Sequence, residues 1–503
     1  MIDKTVANFL YSFAAVFLVR FVGGITTFVI ARILSPADYG MWVTLLVIGS
    51  YAPIICLGTL EALVKMFPFY TGRGEAAKAA LLESNVLGSL VLAAGLLLTA
   101  GATFHFFVQA SDLGSLVNII RLFVLAASLA LLSAFYYYRF TAHQNFRYVS
   151  YIEALRAVTL FLLIVPFSWL WGLMGAALAF TFNEILILTF SHAANNRILG
   201  KLAVSFDLRE IKGLVATGFP ITVIWWTYML QTSVDRLISM SMLGKAPTGY
   251  YGLGASMASA IVLIPMILGR VLYPKVNEEV GKNAGRARLT NYVLVPAQGL
   301  GLFLPLVIGT LIILTPELYR VFFPKYVRGI ASAQILLLGV YFVSLIRTGV
   351  NYLVAINKQN NVLLFVLASL CANVLTSVVL VKQGYSIEGI SVGTSVSALV
   401  FAALLWRSVF GRLGYAPAAQ GRELAFLLMP FLLCVTLSLG LPALVREAIP
   451  GNAPLASGCA AVLFAALYAL GVTTIPPLNA WSKSLASTIR EQARAAISRK
   501  TSA

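Results

Sequence analysis

The sequence predicts an all-α polytopic membrane protein with about fourteen transmembrane helices. Of the 503 residues, 60% are hydrophobic and 11% are charged, and the mean hydropathy is +0.89. Because soluble domains carry about 25% charged residues, a soluble chain of this length could not bury so much apolar surface. Apolar runs of about 20 residues recur along the chain, and that length matches the ~30 Å hydrocarbon core of a bilayer. The runs lack the period-two alternation of strands, so helices are the predicted spans.

Fourteen apolar segments are long enough to cross the membrane. We predict spans at 9–31, 40–67, 81–107, 115–138, 148–168, 171–191, 214–240, 250–273, 291–314, 330–356, 361–382, 387–411, 423–446 and 455–477. Short turns near Pro166 and Gly384 must separate neighbouring spans. The first segment contains Arg20 and has no A-x-A cleavage site, so we expect it to be a span and not a cleaved signal peptide.

The distribution of Lys and Arg predicts the orientation of these spans. With a cytoplasmic N-terminus, 23 basic residues fall on the cytoplasmic side and 7 on the outer side. We therefore predict a protein of the inner (plasma) membrane with both termini in the cytoplasm. Much of the net charge of +18 is then a topology signal, and no nucleic acid is predicted as a partner. The outer segment 315–329, with three basic residues, has no explanation at this level.

The chain offers no pattern typical of catalysis, cofactor binding or metal binding. Its four cysteines lie singly in apolar segments without metal-ligand spacing. There is no Walker A motif, and the longest outer loop holds one acid, Glu317. We therefore predict no catalytic residue, no metal, no cofactor and no enzymatic activity, and we favour a transporter.

Two turns of the chain resemble each other. Ser35 and Pro36 in the stretch 31–40 form a helix start, with a capping hydroxyl followed by proline at the first helical position. The stretch 243–252 repeats the Pro-x-x-Tyr pattern, and the two prolines, Pro36 and Pro247, are 211 residues apart. A parallel repeat of two six-helix halves would explain this spacing. The predicted domains are an N-terminal lobe (1–200), a basic cytoplasmic linker (201–213), a C-terminal lobe (214–412), two further spans (423–477) and a basic amphipathic tail (478–503).

The stretch Ala31-Arg32-Ile33-Leu34-Ser35-Pro36-Ala37-Asp38-Tyr39-Gly40 resembles the turn after the first span of bacterial polysaccharide transporters, the Wzx-type flippases. Further segments resemble the middle of that family: 233–238, 249–253, 270–276 and 351–358. This family belongs to a superfamily that includes multidrug extruders and lipid II flippases. The resemblance implies two six-helix lobes around a central cavity, two extra helices, alternating access and a polyprenyl-diphosphate-linked oligosaccharide as substrate.

Charged side chains within the spans are the candidate site. A central Arg costs about 2.5–3.5 kcal/mol by insertion scales and so needs a compensating environment. Arg20 shares a helical face with Gly23, Gly24 and Thr27; it either anchors a diphosphate or pairs with an acid of a neighbouring helix. Other candidate substrate-binding residues, each with a structural alternative, are Arg347, Arg270 and Arg236.

Acids within the spans are candidates for ion coupling or for pairing with arginines. These are Glu184 near the centre of its span, Asp235 and Glu61. Arg236 has Asp235 and Asp38 as possible ion-pair partners, and we expect Glu153 to pair with Arg156 three residues later.

The expected partners are the lipid-linked oligosaccharide, the bilayer, and a polysaccharide polymerase or assembly protein. The alternatives are a lipid II flippase and a multidrug or organic-cation antiporter, which should favour carboxylates in its central cavity. A membrane glycosyltransferase or polymerase is the least favoured alternative. O-antigen, capsule and exopolysaccharide all stay open as the exported polymer.

Overall fold

The computed structural model describes residues 2–108, 114–282 and 285–475, together with residues 478, 479, 482, 483 and 487. All regular secondary structure in this part of the chain is helical, which confirms the predicted all-α class. By their contacts the residues form two compact units, Met1–Arg236 and Leu237–Ala503. Most of the predicted amphipathic tail lies outside the described residues.

Seven helices belong to the first unit, and an eighth begins in the first unit and ends in the second. Their bounds are α1 (Ile2–Ile33), α2 (Pro36–Ser50), α3 (Thr59–Gly72), α4 (Ala76–Val108), α5 (Gly114–Ala142), α6 (Phe146–Ile198), α7 (Leu208–Gln231) and α8 (Val234–Met242). Helix α1 packs along α6, while α3 contacts α4, α5 and α7. Glycine permits the contact of α3 with α7, because a Cβ at Gly218 would lie 1.8 Å from the carbonyl oxygen of Gly58.

The second unit is built around one central helix. Its helices are α9 (Lys245–Ile261), α10 (Leu263–Gly281), α11 (Arg286–Phe322), α12 (Ile330–Ala355), α13 (Gln359–Lys382), α14 (Ile387–Arg412), α15 (Pro417–Ala448) and α16 (Ala453–Thr474). Helix α12 contacts α9, α10, α11 and α14. Small side chains allow this close packing: the Ser332 and Ser391 hydroxyls are 2.6 Å apart, and a Cβ at Gly339 would lie 2.3 Å from Ser395 Oγ.

Twelve segments in the described part are long and apolar enough to cross a membrane, so the chain is a multi-pass membrane protein. Helix α6 holds two of the predicted spans, because Trp171 and Gly172 leave the helical region and Gly172 has φ +55°. The predicted division near Pro166 thus lies a few residues farther along the chain. The turn at Gly384 (φ +97°) falls where we predict it, between α13 and α14.

Three predicted spans are not continuous helices, and this corrects the sequence prediction. The span 40–67 breaks into α2, a 3-10 turn (Ala52–Cys56) and α3, because Pro53 and the left-handed Leu57 and Gly58 interrupt the ladder. The span 214–240 breaks between α7 and α8. The span 250–273 breaks at Val262, where Pro265 cannot extend the preceding helix.

The two similar turns start their helices differently. Ser35 caps α2, as predicted: its hydroxyl accepts the Asp38 N–H at 3.1 Å and donates to the Asp38 carboxylate at 2.7 Å. Helix α9 instead follows Gly244 at φ +89°, without a side-chain cap.

The basic segment 315–329 is partly balanced by its own acid, Glu317. The Glu317 carboxylate receives a hydrogen bond from Arg320 at 2.5 Å and lies 3.9 Å from Arg446. The 3-10 turn Pro324–Gly329 packs on α9, with the Tyr326 and Tyr250 rings 6.1 Å apart. One acid therefore balances two of the basic side chains at this end of the second unit.

Candidate functional site

A cavity of about 510 Å³ lies inside the first unit, between α1, α2, α5 and α6. Its apolar wall includes Trp42, whose ring is buried against Phe123 and Phe180. The polar side chains on its wall are Thr26, Thr27, Tyr137, Tyr138, Glu153 and Arg156. One helical unit therefore forms a partly open cavity whose wall carries both donors and acceptors.

Arg156 joins this cavity to a buried acid. Its Nη2 donates to Ser133 Oγ at 2.8 Å and lies 3.3 Å from Glu184 Oε2. The Glu184 side chain is 2% exposed and that of Arg156 is 38% exposed, so the acid lies behind the wall and the base on it. The expected local pair of Arg156 with Glu153 is wrong, since Arg156 reaches across to the second half of α6 instead.

Glu153 is the acid on the cavity wall. It accepts a hydrogen bond from the Tyr137 hydroxyl at 3.1 Å. Arg156 is on the same wall and Glu184 lies behind it, so this group has two carboxylates and one guanidinium. The formal charge of this group is therefore negative, which opposes the binding of a phosphate there.

Arg20 lies apart from this cavity. Gly23 and Thr27 of the predicted polar face line the chamber, whereas Arg20 and Gly24 are not on its wall. The Arg20 side chain is exposed and forms no ion pair with any described residue. The ion-pair alternative for Arg20 thus finds no partner in the described part of the chain.

Arg347 lies on α12 with its aliphatic stem against α10. A Cβ at Gly269 would lie 2.5 Å from Arg347 Cγ, so glycine is needed for this approach. Asn351, one turn further along α12, donates to the Gly269 carbonyl at 2.8 Å, and Ser344 donates to the Val340 carbonyl within the helix. The Arg347 side chain is exposed without an ion pair to the residues that the structure describes. The Arg270 side chain lies outside the described part.

Asp235 and Arg236 lie in the first turn of α8. Asp235 is 5% exposed, and its Oδ1 accepts the backbone N–H of Arg236 at 2.9 Å, a favourable place for a carboxylate because helix N-termini carry partial positive charge. The Arg236 guanidinium is half-buried and has no ion pair with Asp38 or any other described acid.

Glu61 lies in the first turn of α3 and is half-buried. It has no ion-pair partner among the residues described. The other two predicted coupling acids have such contacts: Glu184 pairs with Arg156, and Asp235 accepts a hydrogen bond at the start of α8. Glu61 has neither kind of contact with a described residue.

The sequence analysis missed a buried ionic cluster. Arg139 binds both oxygens of Glu83 at 2.9 Å and donates to Asn195 Oδ1 at 2.5 Å, while His143 Nε2 lies 2.7 Å from Glu83. In the sequence analysis Arg139 contributes only to the count of basic residues on the cytoplasmic side. The available signal was Glu83 itself, an acid inside an apolar segment that requires a partner. The cluster ties α4, α5 and the end of α6 together.

Comparison with known proteins identifies the family and the fold of this chain. The family model for polysaccharide biosynthesis proteins matches residues 5–278. No curated protein matches the chain. The lipid II flippase MurJ in an inward closed conformation superposes with a TM-score of 0.66 at 13% identity, over 92% of this chain and 99% of that one.

Two other solved structures share the fold. An inward-facing multidrug resistance MATE transporter of the MOP superfamily superposes with a TM-score of 0.63 at 12% identity, over 80% of this chain and 96% of that one. A MOP superfamily transporter from Pyrococcus furiosus, described as having a binding pocket of reversed polarity, gives 0.51 at 13% identity, over 81% and 94%. At these identities the likeness establishes a MOP-type fold and nothing finer.

Proposed function

This chain belongs to the polysaccharide biosynthesis protein family and has the MOP-type fold; on that premise we propose that it is a transporter and not an enzyme, and specifically a flippase. Its proposed substrate is a polyprenyl-diphosphate-linked oligosaccharide, moved across the inner membrane for O-antigen, capsule or exopolysaccharide export. The family assignment supports a substrate from polysaccharide synthesis over lipid II or an organic cation.

The proposed architecture is two six-helix lobes with two further spans, fourteen in all. Twelve segments qualify as spans by length and hydropathy. The turn at Trp171 and Gly172 divides the longest of them into two, and α7 with α8 supplies another. The proposed lobes are 1–200 and 214–412, joined by the linker 201–213 and followed by 423–477 and the tail 478–503. The contact boundary after Arg236 falls later because α7 packs on α3.

The functional proposal rests on one observation: the arginines of the spans differ in whether a carboxylate lies beside the guanidinium. Arg156 has a carboxylate 3.3 Å away, whereas Arg20 and Arg347 are exposed and have no ion pair with a described residue. A guanidinium at that depth is tolerated where it faces water or an anion. Guanidinium groups bind phosphate oxygens in pairs and keep their charge at any cellular pH. We therefore assign the diphosphate to Arg20 and Arg347, with Arg270 and Arg236 as further contacts.

The proposed transport cycle is alternating access of a central, cationic cavity. The diphosphate rests on arginines, the sugars occupy a hydrated polar chamber, and the polyprenyl chain stays in the lipid. Among the three candidate coupling acids, Glu184 has Arg156 beside it and Asp235 bonds at the start of α8. Glu61, half-buried without a described cation, is therefore the strongest candidate for coupling transport to a proton or a sodium ion.

The direct test uses the purified protein in liposomes with a fluorescent polyprenyl diphosphate that carries an oligosaccharide. Transbilayer movement is followed by the access of a membrane-impermeant quencher to the label. We expect faster movement than in protein-free liposomes and than with lipid II or an organic cation as the cargo. Preference for either of those cargoes would replace the proposal with the corresponding alternative.

A further inference from the structure

The cavity of the first unit is not the place for a diphosphate. Its wall carries Arg156, but Glu184 lies 3.3 Å from that guanidinium and Glu153 is on the same wall. The excess carboxylate repels a dianion, and the cationic groups proposed for the diphosphate lie off this wall. The cavity therefore suits an uncharged part of the substrate better than its diphosphate.

The wall chemistry matches a neutral hydroxylated ring. Glu153 offers carboxylate oxygens as acceptors, and Arg156, 38% exposed, offers N–H donors a single helical turn away. A sugar hydroxyl both donates and accepts, so vicinal hydroxyls can use the two groups together. The half-buried ring of Tyr138 supplies an apolar face for the C–H side of a sugar ring.

The volume of the cavity and an unpaired hydrogen-bond donor of a residue on its wall also favour a sugar. A volume of about 510 Å³ lies within the ~300–1,000 Å³ of small-molecule sites. Arg156 Nε is buried without an acceptor among the described residues, as is Asn183 Nδ2, whose Oδ1 accepts from Thr159 at 2.5 Å. Unmet buried donors are uncommon in folded proteins. Of these two residues Arg156 lines the cavity and Asn183 does not, so it is the Arg156 guanidinium that keeps spare donor capacity toward an added acceptor.

We propose that this cavity, defined by Gly23, Tyr137, Tyr138, Glu153 and Arg156, is a sugar subsite that holds one neutral sugar residue of the lipid-linked oligosaccharide. The inference rests on the proposed flippase function and assigns its sugar recognition to the first unit. A monovalent cation is the rival ligand for a wall of net negative charge. Arg156 on the wall offers N–H donors and no acceptor, so it supplies no ligand to a cation, whereas a sugar hydroxyl can accept from it.

A cavity-filling substitution tests this subsite with little effect on packing. A Cβ at Gly23 meets no atom within 4 Å, so a leucine there extends into the chamber it lines. Gly95 of α4 is the matched control, since a Cβ there also meets nothing within 4 Å and the residue is not on the cavity wall. Glu153→Gln is a second variant that keeps the shape and removes the charge.

The readout compares two probes in liposomes: a fluorescent polyprenyl diphosphate that carries the oligosaccharide, and the same lipid without sugar. We expect Gly23→Leu and Glu153→Gln to lower movement of the glycosylated lipid relative to the bare lipid by about tenfold, equivalent to ~1.4 kcal/mol. Gly95→Leu should leave the ratio unchanged.

Three results would overturn the subsite. These are an unchanged ratio in both cavity variants, an equal fall for both lipids, and a loss confined to sodium dependence, which would indicate a cation site. Wild-type protein that moves neither lipid would instead refute the flippase proposal itself, and the sugar subsite with it.

Discussion

Arg156 and Glu184 form an ion pair, with Nη2 and Oε2 3.3 Å apart, that joins the two halves of α6 across the turn at Gly172. The base is 38% exposed and the acid 2%. Removal of Arg156 would therefore leave a buried carboxylate without its cation, whereas removal of Glu184 would leave a guanidinium that is partly exposed. This asymmetry makes the pair testable by single and double substitution.

Arg156→Ala should destabilise the protein more than Glu184→Ala. The first leaves a carboxylate buried without its cation, a loss of the order of 3–5 kcal/mol for fully buried pairs, whereas the second leaves a guanidinium that reaches the cavity. The double variant should recover part of the loss. Thermal unfolding in detergent measures all three, and a double variant no more stable than Arg156→Ala would contradict this account.

Arg20→Ala and Arg347→Ala should each abolish polysaccharide export while the protein still inserts. Loss of the guanidinium removes the proposed diphosphate contact, and lysine at either position should keep part of the activity because charge survives without the forked geometry. Polymer export is measured in cells lacking their own transporter, with membrane protein levels checked. Arg407→Ala, an exposed arginine of α14, is the control. Normal export from both alanine variants would refute the cationic-cavity proposal.

Gly218→Ala should destabilise the first unit, although the substitution adds only one methyl group. Its Cβ would lie 1.8 Å from the Gly58 carbonyl oxygen, so α3 and α7 would have to separate, and overpacking of this kind costs about 1–3 kcal/mol. Gly213→Ala on the same helix meets no atom within 4 Å and should be neutral or stabilising by about 1 kcal/mol. Thermal unfolding separates the two, and equal effects would show that the close approach is not needed.

Glu83→Gln should lower stability far more than Glu75→Gln. Glu83 loses a bidentate bond to Arg139, whose side chain is 4% exposed, and the unpaired guanidinium stays buried, a cost of the order of 3–5 kcal/mol. Glu75 pairs with Lys78 at 2.9 Å on a 66% exposed side chain, and such surface pairs contribute about 0–1 kcal/mol. Unfolding temperatures that fall equally in the two variants would mean the cluster is not a structural tie.

Local signals predicted the features that depend on neighbouring residues in the chain. Ser35 and Pro36 predict the start of a helix to within a few residues. Gly384 predicts a turn, and it adopts φ +97° there. Pairings between distant residues leave no such pattern. Glu83 and Arg139, 2.9 Å apart, are separated by more than fifty residues, and nothing near Arg156 selects Glu184 over Glu153.

The breaks inside predicted spans show the same limit. Hydropathy is continuous across Val262, but the backbone ladder is not, because Pro265 cannot continue the helix that ends at Ile261. A window of mean hydropathy averages over such a residue. The apolar pattern therefore reports where the chain lies in lipid better than where each helix ends.

Single cysteines at the turns should test the proposed fourteen-span topology, in a background with the four native cysteines replaced. Trp171→Cys and Gln383→Cys should react with a membrane-impermeant thiol reagent in intact cells, while Lys201→Cys and Ala416→Cys should react only after permeabilisation, because both termini are proposed to be cytoplasmic. All four positions are exposed and lie within two residues of turn glycines with positive φ, so substitution there leaves the glycines of the turns in place. The decisive comparison is between positions 171 and 201. If they label from the same side, the second half of α6 does not cross the bilayer, the number of spans becomes odd, and the termini cannot share the cytoplasm.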